Sequence, residues 1–309
     1  MKALSTLFKR TEQGILVATL GLATLLPLID AIGRPLGGFH LFGSQQYMQQ
    51  LTLWLAFVSG MAATGQAKHL TLSTTEFFGE GVARRLSRLM SYSVAGAVVA
   101  ILAYASSQVV LANRLEPKML PIGIPEWVSE IIMPVSLGIM ALQFVWNASD
   151  KWWGRAVALT AVGGAFAIGL VPPEQAAMLW PLTLLVLAAA LLGAPVFVAM
   201  GGIALVLFFT ESTPVAAVSA EVYRLIASPT LPAIPLLAAA GYVLAESAAA
   251  ERLVRFFRAV FGGMPGGIAI MVAMVCALFT TFTGGSGVTI IALGGLVYPI
   301  LRKDGYSKG

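Results

Sequence analysis

Residues 265–301 read PGGIAIMVAMVCALFTTFTGGSGVTIIALGGLVYPIL. No residue in this run carries a charge, so we expect most of it to lie out of contact with water. Two apolar arms, residues 266–282 and 288–301, are close to or below the roughly 17–25 residues that cross a hydrocarbon layer. Five basic residues bracket the arms: Arg252, Arg255, Arg258, Arg302 and Lys303. If these mark the cytoplasmic side, the arms form a hairpin whose tip lies within or across the membrane.

The centre of this hairpin combines glycine with hydroxyl side chains: Thr283, Gly284, Gly285, Ser286 and Gly287. Glycine releases the backbone from helical geometry at little steric cost. Opened backbone at membrane depth is tolerated only inside protein or beside a watery cavity. There, carbonyls and hydroxyls can hold a sodium ion while a half-helix N-terminus faces an anion. An ordinary loop between two spanning helices, with glycines for close approach, is the alternative.

The composition excludes a water-soluble protein. Hydrophobic residues make up 58% of the 309 residues and charged residues only 11%, against roughly a quarter charged in soluble domains. Long uncharged runs of helical character predict an all-α integral membrane protein rather than a barrel. The net charge of +5 does not indicate nucleic acid binding, because the basic residues lie in short loops between helices. The single cysteine, Cys276, excludes an intramolecular disulfide and a CxxC metal site.

The first half of the chain alternates apolar and polar segments. Five apolar segments are predicted to span the membrane: residues 14–32, 47–66, 89–112, 127–146 and 156–171. Asp30 and Arg34, at the end of the first, predict a solvated ion pair, with an ion path as the alternative. Ser106, Ser107 and Gln108, inside the third, are predicted to bond a neighbouring helix rather than a substrate.

The segment at 178–209 would run about 48 Å as one helix, which is too long for a bilayer. A break at Gly193, Ala194 and Pro195 predicts two short helices that enter the membrane and return. The remaining segments are predicted to be interfacial helices at 71–88, 213–227 and 246–261 and a short span at 231–244.

The distribution of basic residues supports this topology with a cytoplasmic N-terminus. Fifteen of the 19 Lys and Arg residues fall on the predicted cytoplasmic side. The four on the outer side are Arg34, Arg114, Lys118 and Arg224. So strong a bias is typical of a multi-pass protein of a bacterial cytoplasmic membrane.

Several motifs together resemble a family, the tripartite ATP-independent periplasmic (TRAP) transporters, with the small and large membrane subunits fused. Residues 67–73 (AKHLTLS) and 122–144 (IGIPEWVSEIIMPVSLGIMALQF) resemble the small, DctQ-type subunit. A second group of motifs resembles the large, DctM-type subunit. These motifs are residues 191–207 (LLGAPVFVAMGGIALVL), 231–247, 264–279 and 283–306 (TGGSGVTIIALGGLVYPILRKDGY). The resemblance implies a small-subunit block at 1–150, a connector helix at 151–174 and the N-terminal portion of the large subunit at 175–309.

The resemblance also implies a function. Such proteins import organic acids, often C4-dicarboxylates or sialic acid, on a sodium gradient by an elevator mechanism, and a periplasmic substrate-binding protein delivers the substrate. Carried onto this sequence, the tip forms one sodium site from Thr283, Gly284, Gly285, Ser286, Gly287 and Thr289. The backbone amides of Val288 and Thr289 then meet a substrate carboxylate.

The sequence departs from the family in two ways. Many members have a serine-rich tip where this chain has Gly-Gly-Ser-Gly-Val-Thr. The family's large subunit also continues into a second, inverted half with another hairpin. We therefore expect this polypeptide alone not to transport, with the second half on a separate chain or on the remainder of a longer one.

Three other classes of function were weighed. A non-transporting scaffold or assembly subunit is one alternative. An intramembrane serine protease is another, because residues 284–287 fit a GxSG pattern, but His40 and His69 are the only histidines and lie in loops of the other block. An ATP-driven pump lacks its GxxxxGK[ST] loop, and a channel lacks a filter-like repeat.

Overall fold

The computed structural model describes residues 2–37, 42–72, 81–168, 179–228, 231, 233–264, 266–283, 289, 293–294, 297–298 and 301–302. Their helices are α1 (Lys2–Gly37), α2 (Ser44–Gly65), α3 (Val82–Leu115), α4 (Glu126–Glu130), α5 (Ile132–Asn147), α6 (Trp152–Ile168), α7 (Leu179–Leu191), α8 (Val196–Thr210), α9 (Ala216–Ile226), α10 (Ala233–Glu246), α11 (Ala248–Phe261) and α12 (Gly267–Thr283). Three are long and apolar enough to cross a membrane: Arg10–Gly33, Val82–Leu115 and Glu126–Asn147. The prediction of an all-α membrane protein is confirmed.

The chain divides into two compact units. The first unit comprises residues 1–20 and 41–228, and the second comprises residues 21–40 and 229–309. These units follow spatial contacts, whereas the boundaries at 150 and 174 follow sequence motifs, so the predicted domains stay a prediction.

Helix α3 is the centre of the first unit, where it packs against α5, α6, α7, α8 and α9. Small residues allow this close approach: a Cβ on Gly96 would lie 3.4 Å from the Val145 side chain. Large side chains from the surrounding helices fill the core, including Leu53, Met133, Phe144 and Val198. One helix therefore organises both the predicted small-subunit block and the helices that follow it.

The predicted break between α7 and α8 is confirmed. Gly193 has φ +98°, a conformation that side chains with a Cβ rarely adopt. The loop after α2 contacts this break, since the Val196 amide donates to the Leu70 carbonyl at 3.0 Å. From α3, the Ser87 hydroxyl donates to the Leu192 carbonyl at 2.9 Å. The break is thus a packed turn rather than a loose connection.

The predicted fourth span is present as α4 and α5, which are separated only by Ile131. The backbone of Ile131 stays in the right-handed helical region. Pro134 lacks the N–H that would bond the Glu130 carbonyl one turn earlier, so one backbone hydrogen bond of the helix is missing there. The helical direction continues from α4 into α5, and the Glu130 side chain is buried inside the protein.

Two expectations need correction. Residues 82–88 were expected in an interfacial helix separate from the third span, but they form the first two turns of α3; residues 73–80 lie outside the described residues. Charged residues end an apolar run without ending a helix, because they are good helix formers in water. Asp30 was expected in solvent, but only 5% of its surface is exposed.

A cavity of about 490 Å³ lies in the first unit among α3, α6, α7 and α8. Tyr104 and apolar side chains such as Val98, Ile101, Val186 and Leu205 line it. Such a wall offers few groups to bind an organic acid, so the candidate site is sought elsewhere.

Candidate functional site

The first arm of the predicted hairpin is α12. A turn precedes it, in which the Gly267 amide donates to the Met264 carbonyl at 2.9 Å and Gly266 has φ +76°. Met271, Val275 and Phe279 are fully buried at a spacing of four residues. They form one continuous face of the helix.

The second arm presents a matching face. Its described helical residues include Thr289, Leu293, Val297 and Leu301, again at a spacing of four. Leu293 and Val297 join the buried cluster of α12, and Leu301 packs against that cluster. The two arms therefore pack along their length.

A contact between hydroxyls shows that the chain reverses between the arms. The Thr280 and Thr289 Oγ1 atoms are 3.0 Å apart. Nine residues of continuous helix would separate them by about 13 Å along the axis. An unbroken helix through the tip is therefore excluded, and the predicted hairpin is present.

The Thr280 hydroxyl has a second contact within its own helix. Its Oγ1 lies 2.7 Å from the Cys276 carbonyl, to which it can donate. In the contact between the arms, either the Thr280 or the Thr289 hydroxyl can be the donor. Only 2% of the Thr289 surface is exposed. The base of the tip thus holds a buried hydroxyl, Thr289, paired with the half-buried hydroxyl of Thr280.

Most of the predicted sodium and substrate site lies outside the described residues: Gly284, Gly285, Ser286, Gly287 and Val288. Thr283 is the last residue of α12. Thr289 lies on the inner face of the second arm, where its hydroxyl meets the first arm. The sequence reasoning missed Thr280, although a hydroxyl directly after the buried face of an apolar arm was a usable signal.

Helix α11 precedes the hairpin in the second unit and packs against α12. Val254 is buried and Phe257 lies against the hairpin cluster. Arg252, Arg255 and Arg258 are exposed. An apolar face toward the hairpin and a basic face away from it fit the predicted interfacial helix.

Polar contacts in the first unit join the helices before residue 150 to those after 175. Ser106 on α3 bonds Ser219 on α9 at 3.2 Å, which confirms the predicted helix contact for Ser106. The Ser107 hydroxyl instead donates to the Tyr104 carbonyl in its own helix at 2.6 Å. Gln50 Nε2 on α2 donates to the Tyr223 hydroxyl on α9 at 3.3 Å. Burial raises the pKa of Tyr223 above its ordinary value, so the phenol keeps its hydrogen.

His69 lies in the loop after α2, against the Phe197 ring at a centroid distance of 5.0 Å. Its Nε2 hydrogen-bonds the Thr64 hydroxyl at 2.6 Å, and that hydroxyl also lies 2.9 Å from the Gly60 carbonyl. The direction of the His69–Thr64 bond is set by the tautomer of the ring. Burial lowers the pKa of His69 below its ordinary 6.5. His40 lies outside the described residues.

Apolar helices long enough to span a membrane and a packed helical hairpin define a class, the α-helical integral membrane proteins. The family models agree. The model of the tripartite ATP-independent periplasmic transporter DctQ component matches residues 23–153, and that of the DctM component matches residues 183–309. The chain belongs to this transporter family, and the family consists of transporters rather than enzymes.

Relatives support both halves of this assignment. The isethionate TRAP transporter permease protein DctMQ of Oleidesulfovibrio alaskensis is 27% identical over 190 residues, 60% of this chain and 30% of that protein. The C4-dicarboxylate TRAP transporter large permease protein DctM of Rhodobacter capsulatus is 30% identical over 125 residues, 40% of this chain and 28% of that protein. The ectoine TRAP transporter large permease protein TeaC of Halomonas elongata is 28% identical over 120 residues, 38% of this chain and 28% of that protein. The chain thus spans less than a third of these relatives.

Proposed function

We propose that this chain is the membrane component of a sodium-coupled, binding-protein-dependent transporter that imports a small organic acid. The observation that supports the proposal most directly is the hairpin, whose arms meet through Thr280 and Thr289 directly below a tip rich in glycine. A chain reversal at membrane depth needs ligands for its freed carbonyls. Sodium ions supply positive charge to carbonyl and hydroxyl oxygens without requiring an acidic side chain.

The proposed sodium site uses Thr283, Gly284, Gly285, Ser286, Gly287 and Thr289. The hydroxyl of Thr280, on the first arm, adds one further oxygen to this proposed site. We propose that the amides of Val288 and Thr289 open the second arm and would stabilise a substrate carboxylate there. Sodium and the acid would then share one tip, so the binding of each favours the other.

The proposed substrate class is a small organic anion. The relatives are named for isethionate, C4-dicarboxylates and ectoine, which share an acidic group. A C4-dicarboxylate or a sialic-acid-like carboxylate fits the paired amides at the tip.

The mechanism we propose is an elevator, in which the hairpin carries its ligands across the membrane. The first unit suits a static scaffold, because α3 lies at the centre of a continuous core of buried apolar side chains. A periplasmic substrate-binding protein would deliver the acid, and the second inverted half would lie on a separate chain or further along this one. The cell inner membrane, with the N-terminus in the cytoplasm, is the proposed location.

Uptake into proteoliposomes tests the proposal. The chain would be reconstituted with its second half and binding protein, and uptake of labelled organic acids measured with and without an inward sodium gradient. Ser286→Ala and Thr289→Ala are expected to raise the sodium concentration needed for half-maximal uptake more than they lower protein abundance. Uptake that ignores the sodium gradient would overturn the coupling. Wild-type preparations that assemble but never transport would favour the scaffold alternative.

A further inference from the structure

A buried carboxylate lies in the first unit, away from the hairpin residues. Glu130, the last residue of α4, has only 1% of its surface exposed. A carboxylate inside a membrane protein is costly, and proteins retain one where it has a partner or a task. None of the functions described above uses Glu130.

Three other helices direct polar side chains toward Glu130. Asn113 Nδ2, on α3, donates to Glu130 Oε2 at 2.8 Å. The Tyr223 hydroxyl, on α9, lies close enough to interact electrostatically with the carboxylate. Because Tyr223 accepts from Gln50 Nε2 at 3.3 Å, its own hydrogen is available for Glu130. These four residues, Glu130, Asn113, Tyr223 and Gln50, are called the Glu130 cluster below.

One oxygen in this cluster has no partner within the described residues. Gln50 is 8% exposed, and its Oε1 is buried and makes no hydrogen bond there. The other end of the same amide contacts Tyr223, so the amide group reaches into the cluster. An orphaned buried carbonyl oxygen destabilises the fold, so a ligand for it is expected.

Charges near the cluster do not neutralise the carboxylate by direct contact. Lys118 and Glu126 act on Glu130 electrostatically and in opposite directions. Arg114 lies instead over the Trp127 ring, 5.5 Å from its centroid. Across the part of the chain that the structure describes, the ion pairs found are Arg88–Asp150 and Arg224–Glu221, and neither involves Glu130. A buried charge without a basic partner is commonly balanced by a bound cation.

We propose that the Glu130 cluster binds one small monovalent cation, and that this cation is Na⁺. The Glu130 carboxylate and the Gln50 Oε1 oxygen are its protein ligands, while Asn113 and Tyr223 hold the carboxylate in place. Na⁺ prefers such hard oxygen ligands, as other small hard cations do. The two ligands lie on α2 and α4 in the small-subunit region, and Tyr223 lies on α9 in the large-subunit region. The bound ion therefore stabilises the contact between the two regions. This site is separate from the hairpin tip and does not depend on the proposed transport function.

Thermal unfolding in nanodiscs tests the proposal, with Na⁺ replacing K⁺ at constant ionic strength. The expected result is a melting temperature that rises with Na⁺ concentration, because the ion binds the folded state. Glu130→Gln keeps the shape and an acceptor for Asn113, and it is expected to weaken the apparent Na⁺ affinity by at least about tenfold. Glu126→Gln removes the same charge one turn earlier on α4 and is expected to keep the wild-type Na⁺ response.

Two further variants keep the test decisive. Gln50→Met removes the orphaned oxygen at similar volume, and it replaces Glu130→Gln should that variant fail to fold. Thr289→Ala perturbs the hairpin tip, so the Na⁺ response of the Glu130 cluster must persist in it. A Na⁺ response identical in wild type, Glu130→Gln and Gln50→Met would overturn the proposal. So would a wild-type protein stabilised by lower pH but not by Na⁺, since a proton would then neutralise Glu130.

Discussion

Thr280 and Thr281 are neighbours on α12 with the same side chain and different surroundings. Thr280 contacts the second arm through Thr289. Thr281 is exposed and donates only to the Ala277 carbonyl in its own helix. Comparing the same substitution at the two positions therefore distinguishes the contribution of the contact between the arms from the helix propensity of threonine.

Thr280→Val and Thr281→Val test this contact. Thr280→Val removes one hydroxyl of the part-buried hydrogen bond between the arms at constant shape and is expected to lower the free energy of unfolding by about 1 kcal/mol. Thr281→Val is expected to change it by no more than about 0.5 kcal/mol. Denaturant or thermal unfolding in detergent measures both values. Equal losses in the two variants would contradict a hairpin held at Thr280.

His69 provides a prediction of pH dependence. Burial lowers its pKa in the folded protein, so the unfolded chain takes up a proton at a higher pH than the folded chain does. Stability is then lost as the pH falls below the ordinary value of 6.5, and the loss levels off below the lowered pKa of the folded state.

The variant His69→Gln isolates this contribution, because His40 is present in both proteins. It is expected to show a smaller loss of melting temperature between about pH 7.5 and pH 5 than the wild type. A carboxamide can still donate to the Thr64 hydroxyl, so the local hydrogen bond is retained. An unchanged pH slope in the variant would assign the effect to other groups.

At the scale of helices, the turn at Gly193 makes a strong prediction. An alanine there must adopt φ +98°, which costs about 1–2 kcal/mol for a residue with a Cβ. Gly193→Ala is therefore expected to destabilise the protein by that amount. Gly163→Ala, in α6 with open space around its Cβ, is expected to be neutral or slightly stabilising. Comparing the two melting temperatures checks the claim, and matched losses would refute a turn that requires glycine.

Apolar run length and glycine–proline punctuation allowed much of the helix order to be predicted, including the break at Gly193 and the reversal between Thr280 and Thr289. The length of α3 was missed because a helix continues into water past the end of its apolar run. The burial of Asp30 and Glu130 was missed because a sequence shows the charge of a side chain but not the helices that cover it. Thr280 was missed for the same reason, since its partner is nine residues away across a chain reversal.

At the scale of the molecule, α3 ties the two family regions together at both of its ends. Ser87 bonds the Leu192 carbonyl at one end of the helix, and Ser106 bonds Ser219 nearer the other. A separation of 19 positions between the two serines corresponds to about 28 Å of helix, close to the roughly 30 Å of a hydrocarbon core. Polar contacts this far apart along α3 hold the helices of the two family regions together in one compact unit.

A disulfide between α3 and α9 tests whether this unit stays static during transport. In a Cys276→Ala background, which removes the only native thiol, Ser106→Cys and Ser219→Cys place sulfur atoms where the hydroxyl oxygens are 3.2 Å apart. That separation is short enough for a disulfide to form on oxidation. If α3 and α9 belong to a scaffold against which the hairpin moves, the oxidised protein should transport at close to the rate of the reduced protein in the same proteoliposome assay. Its melting temperature should also rise, because the cross-link restrains the unfolded chain. A loss of uptake on oxidation that a reductant restores would show instead that α3 and α9 separate in the transport cycle, and the scaffold would have to be sought elsewhere in the protein.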